Sequence, residues 1–290
     1  MKKIFSIILA FVLNLSLIGE ANALLSISHF NLGTTIIENF EQQTGKKLTE
    51  NEKTAFLSGE VYADIGRFSL DKITEVSSDS DKFAEEMNKF AKSPEEKWFT
   101  LGVKVHILQD KETGKFLNKV FGEKSSSYKE YLNRCALIDS YFLQKSKVCI
   151  FNDSLNESLD KFNVDQIISG FNTEEICKTL GIQENKFLYF IKLQLKNYSR
   201  YEEKYFLNLY GDLIRKTYET LGLKVEINDL QEQANNIIVA SAVLATIASE
   251  KIKPNDKKLG IFIENEAKHL SELCVYYLRE ELNVNGINEV

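Results

Sequence analysis

Ser93-Pro94-Glu95-Glu96 opens a run that continues through Gly102-Val103-Lys104-Val105-His106-Ile107-Leu108-Gln109-Asp110, and its reading decides the fold. Ser93 is a helix N-cap residue, Pro94 suits the first helical position, and two acids occupy the first turn. The run therefore predicts a long central helix from Pro94 to near Val120. On it, His106 and Asp110 stand four residues apart, one turn along the same face. Such a pair can converge on one cation; it can equally be an ordinary pair on a solvated helix. Gly102, one turn earlier, leaves room for an ion, a substrate or another backbone.

The composition around this helix points to more helices. Two prolines interrupt 290 residues, Pro94 and Pro254, and glutamate, lysine, leucine and isoleucine dominate. We therefore expect an all-α, multi-helix bundle. Phe187 to Leu195 and Tyr205 to Tyr210 have helical apolar spacing, and the alanine-rich run Ile237 to Ala248 reads as a buried bundle helix too short to span a bilayer. Lys253-Pro254-Asn255-Asp256 introduces a final helix, with Ile261, Ile263, Leu270, Leu273 and Tyr277 on its apolar side. Glu266, His269 and Glu272 on that helix have metal-bundle spacing but lack the paired motif, so a solvated face is expected there. The seam between residues 24–150 and 151–290 is placed in the Asn/Ser/Asp-rich stretch from Asn152 to Asn156, with the second half packed on the first.

The N-terminus reads as an export signal. Lys2 and Lys3 precede an apolar core from Ile4 to Ile18, and Ala21-Asn22-Ala23 is a small-x-small cleavage site. Cleavage after Ala23 gives a periplasmic or secreted chain, and an uncleaved anchor is the alternative. Four cysteines, Cys135, Cys149, Cys177 and Cys274, suit an oxidising compartment. Sequence does not choose among their pairings; Cys135 with Cys149 is the most local, worth about 3 kcal/mol in the chain-entropy model.

The formal charge is −6. Such an acidic chain gains no long-range attraction to nucleic acid or anionic lipid, so no nucleic acid partner is expected. The tyrosines between Lys196 and Tyr205 read as helix packing rather than a stacking platform for bases.

Two further stretches join the central helix. Ser28-His29-Phe30-Asn31-Leu32-Gly33 opens the first folded helix, and Phe56-Leu57-Ser58-Gly59-Glu60-Val61-Tyr62-Ala63-Asp64-Ile65-Gly66-Arg67 places Asp64 among small residues. The order of an early Ser-His, a Gly-x-x-x-Ala-Asp-Ile segment and a helix with Leu-Gly-x-x-x-His-x-x-x-Asp resembles the zinc-dependent phospholipase C family. That family shares its fold with the fungal single-strand nucleases. The resemblance covers roughly residues 26 to 143.

It implies a helical bundle whose His and Asp side chains hold zinc, with His29, Asp64, His106 and Asp110 as ligands and Asp110 able to bridge two metals. Two imidazoles and two carboxylates suit zinc, one ion or two, and would accept manganese or iron. Zinc lowers the pKa of bound water toward about 7, and Asp64 is the carboxylate assigned to orient or deprotonate that water. The implied activity is hydrolysis of phospholipid head groups or another phosphodiester, with transient contact to a membrane surface. The departures are equally specific. Where the family has histidines, this chain has the Ser77-Ser78-Asp79-Ser80-Asp81 region and Phe116; Cys135 and Asp139 stand where a later His-x-x-x-Glu is expected; and the lone tryptophan is Trp98, not an N-terminal residue. Asp79 or Asp81 can replace one histidine as an oxygen ligand or form a solvated helix cap. The alternative function is a catalytically degenerate, exported helical binding or interaction protein that keeps the fold and at most one metal.

Overall fold

The computed structural model describes residues 26–67, 80–122, 124, 127–145, 164–199, 206–249 and 257–284. The export segment, Asp79, Cys149, the Asn152–Asn156 seam and Pro254 lie outside them. All regular structure among the described residues is α-helical: α1 (Ser26–Thr44), α2 (Glu50–Arg67), α3 (Asp81–Phe90), α4 (Pro94–Phe121), α5 (Tyr128–Lys145), α6 (Val164–Ser169), α7 (Thr173–Leu180), α8 (Glu184–Ser199), α9 (Phe206–Thr220), α10 (Ile227–Ser249) and α11 (Lys257–Val284).

Helix α4 starts and stops where its sequence says. Ser93 Oγ accepts from the Glu96 N–H at 3.1 Å while the Glu96 carboxylate accepts from the Ser93 N–H at 3.0 Å, a reciprocal capping box behind Pro94. At the other end Gly122 takes a left-handed φ of 79° and donates its N–H to the Asn118 carbonyl. Between these caps Phe99, Val103, Val105, Ile107, Phe116 and Leu117 are buried, so the helix lies inside the bundle rather than on it. Trp98 is buried with them and donates its Nε1–H to Glu52 at 3.0 Å, a packing role.

The tightest packing is between α2 and α4. A Cβ on Gly102 would lie 2.0 Å from the Phe56 carbonyl oxygen, and one on Gly59 would lie 2.0 Å from that of Phe99. The space left by Gly102 is thus filled by another backbone. Each glycine lets the opposite helix come closer than any side chain permits.

The second half of the chain covers the first. Helix α11 packs along α4 and α1, and α10 packs on α8, α5 and α2. In α10, Ile238, Val239, Ala242, Ala245 and Ala248 are buried, as the alanine-rich run predicts. Among the described residues no helix is long and apolar enough to cross a membrane. In α11, Ile263 and Leu270 are buried, but Ile261 and Leu273 are 59% and 41% exposed, which corrects the expected apolar side. His269 and Glu272 are also exposed and Glu266 pairs with Lys119 at 3.0 Å, so that spacing is a solvated face.

Candidate metal centre

Three helices converge on one buried point. Helix α1 supplies His29, α2 supplies Glu60 and Asp64, and α4 supplies His106, Gln109 and Asp110. The positions follow from helical spacing: 60 and 64 share a face of α2, and 106, 109 and 110 share a face of α4. The close α2–α4 contact brings those faces together.

Ligand atoms of His29, Asp64 and His106 all lie within 4.8 Å of one another, and all three residues are buried. His106 Nε2 is 3.7 Å from Asp64 Oδ1 and 3.4 Å from Asp110 Oδ2, and His29 Nε2 is 3.1 Å from Asp110 Oδ1. A tetrahedral ion with bonds of about 2.0–2.1 Å sets its ligand atoms about 3.3 Å apart, and these separations bracket that edge. Neither Nε2 makes a hydrogen bond among the described residues. Two buried ring nitrogens without hydrogen-bond partners, flanked by carboxylates, are the donor set a divalent cation takes once any ring proton is displaced.

The other ring edge is occupied. His106 Nδ1 donates to the Glu60 carbonyl oxygen at 2.6 Å, and His29 Nδ1 donates to Gln109 Oε1 at 2.5 Å. Gln109 Nε2 in turn donates to Glu60 Oε1 at 3.0 Å. Sequence reading missed both Glu60 and Gln109. A signal existed: Glu60 stands one turn before Asp64 on the same helical face, among small and apolar residues.

The electrostatics follow from the burial. Burial disfavours the charged imidazole of His106, but the Asp110 and Asp64 carboxylates outweigh it and raise the ring to about 9. Burial likewise holds the Glu60 carboxyl well above the usual range, with His106 opposing and Asp110 reinforcing. A divalent cation would relieve both: it neutralises the carboxylates and replaces the ring proton.

The remaining sequence candidates fall elsewhere. Asp81 is exposed in the first turn of α3, behind the Ser80 N-cap, and pairs with Lys111 at 2.6 Å; the solvated cap is the reading that holds. Phe116 lines a cleft between α4 and α11 with Leu270 and Leu273, among Glu112, Lys115, Lys119, Glu266 and His269. Asp139 accepts from both the N–H and the hydroxyl of Ser28, which ties α5 to the residue preceding His29. Burial pushes its carboxyl up to about 7 against those two bonds. Cys135, one turn earlier, is buried and is not part of the cation-holding group found among the described residues.

The chain matches no family model, no curated protein and no solved structure.

Proposed function

We propose that this protein is an exported, zinc-type metal-dependent phosphodiester hydrolase, resembling the phospholipase C family, in which His29, Asp64, His106 and Asp110 hold one divalent ion. The observation that carries it is the meeting of His29, Asp64 and His106, from three separate helices, within 4.8 Å. When bound, such an ion supplies Lewis acidity and a water that ionises near neutral pH. The chain's own residues do the rest. His29 and His106 present Nε2 atoms, Asp110 offers one oxygen to each imidazole, and Asp64, 3.7 Å from His106 Nε2, is the carboxylate to which this reading gives the orienting or deprotonating of the attacking water. Asp110 is the edge of the site that meets solvent, its side chain 10% exposed against 0% for both imidazoles. Water and a phosphodiester would enter past it.

A second reading is favoured by the same burial. Four protein donors that are almost wholly enclosed make the closed shell of a structural ion, whereas catalytic zinc keeps a position open. In that reading the chain is a degenerate binding or interaction protein whose bundle is held by its metal.

Metal content of the purified mature chain and of D110A, with release of phosphorylated head groups from phospholipid vesicles, separates the readings. The hydrolase reading expects stoichiometric zinc and turnover in the wild type, with both reduced in D110A. Zinc without turnover selects the structural reading. Absence of zinc in the wild type removes the hydrolase and the structural ion and leaves a metal-free binding or interaction bundle.

A further inference from the structure

The hydrogen bonds behind the two imidazoles run in one direction. Gln109 turns its amide nitrogen to Glu60 Oε1 and donates to it at 3.0 Å. Its oxygen therefore faces His29, and an amide oxygen only accepts, so the proton of that contact sits on His29 Nδ1. The Glu60 carbonyl beside His106 Nδ1 is also an obligate acceptor. Each ring thus keeps a proton on Nδ1 and turns Nε2 to the carboxylates of Asp64 and Asp110, so Nε2 is the nitrogen that is bare when the ring is neutral. One residue of α2 controls both, through its main chain for His106 and through Gln109 for His29.

Packing is arranged to admit this relay. Glu60 and Gln109 are fully buried. A Cβ on Gly33 would press on Leu57 at 2.9 Å and lie 3.4 Å from Glu60 Cγ, so the bare backbone of α1 leaves the corridor in which the Glu60 side chain runs. Burying an amide and a carboxyl group is costly unless their bonds are made, and apolar side chains would pack more cheaply. Their burial at this point therefore points to a role beyond packing.

We propose that Glu60 and Gln109 are positioning residues that hold the proton of both imidazoles on Nδ1 and so present His29 and His106 to a divalent ion through Nε2. The proposal rests on the metal reading above. Hydrogen bonds of this kind orient ligating histidines, and losing one weakens metal affinity by about 10- to 100-fold.

The test measures zinc affinity by chelator competition in the wild type, Q109M and the double variant E60Q/Q109E. Q109M keeps the volume and removes the relay, so affinity falls about 10- to 100-fold with all ligands present. E60Q/Q109E reverses the buried bond while keeping an acceptor against His29 Nδ1, so affinity returns to within a few-fold of wild type. Wild-type affinity in Q109M, or a double variant as weak as Q109M, overturns the proposal. Long-range proton–nitrogen NMR of histidine-labelled wild type reads the ring protons directly, whether or not the variants fold. Protons on Nδ1 of both neutral rings, and zinc on Nε2, support the proposal; a proton on Nε2 of neutral His29, or zinc on its Nδ1, overturns it. If wild type binds no zinc the metal reading fails, and the ring protons of the metal-free chain still decide the relay.

Discussion

The imidazoles of His29 and His106 stack face to face, with centroids 3.7 Å apart and planes 25° apart, although one ring comes from α1 and the other from α4. Two stacked rings at this distance cannot comfortably both be cations in a buried site. The arrangement suits two neutral rings that share one external charge, which is what a divalent ion between their Nε2 atoms provides.

The stack makes the two histidines jointly necessary. H29A and H106A are each expected to lose stoichiometric zinc, because removing either leaves too few donors and an uncompensated pair of carboxylates. H269A is the matched control: its side chain is 64% exposed, stands beside Glu272 and is not a member of the His29, Asp64 and His106 group. Elemental analysis of dialysed protein checks this, and retention of zinc in H29A would remove α1 from the site.

Stability should depend on pH in opposite senses with and without metal. Burial lowers the His106 imidazole, but Asp110 and Asp64 win and lift it from 6.5 to about 9. Since the folded value exceeds the unfolded one, the metal-free fold has this contribution in full below about pH 6.5 and loses it as pH rises through about 9. Asp139 acts in the same sense lower down: raised by burial from 3.8 to about 7, it keeps its proton in the fold and loses that contribution as pH rises through about 7. Zinc must displace the His106 proton, so its affinity should climb between pH 6.5 and about 9. Thermal melts of both forms across that range decide it: a metal-free midpoint that rises with pH contradicts the assignment.

Closing the gap between α2 and α4 with a methyl group should damage fold and site together. G59A and G102A each force a Cβ to within 2.0 Å of a carbonyl oxygen on the facing helix, which rigid backbone cannot accommodate. Overpacking typically costs about 1–3 kcal/mol, and a backbone clash belongs at the upper end. Zinc affinity should fall as well, since the same contact sets the 2.6 Å bond from His106 to Glu60. Urea unfolding with zinc titration measures both; an unaffected variant would show that the helices are not in backbone contact.

Removing the start signal of α4 should be milder and local. S93A loses the hydroxyl that accepts from the Glu96 N–H, a change of about 1 kcal/mol, and leaves zinc affinity unchanged because the cap lies three turns from His106. A loss of metal in S93A would mean that the helix end, rather than its packed middle, sets the ligand positions.

The helical class and the limits of α4 are properties of neighbouring residues, and the chain states them openly. Ser93, Pro94 and Gly122 act within a turn of themselves, and the alanine-rich stretch of α10 shows its burial in its composition. The His106/Asp110 pair was legible for the same reason. Ile261 and Leu273 were misplaced because apolar identity does not say which side of a terminal helix finds a neighbour.

Glu60 and Gln109 could not be assigned their partners from any pattern, since each is defined by what it meets on another helix. Local spacing thus determined that His29, Asp64, His106 and Asp110 were available on helical faces. Only tertiary packing decided that they meet, because two glycines, placed opposite unrelated carbonyls, set the helix separation, and a distance between helices is a property of both surfaces at once.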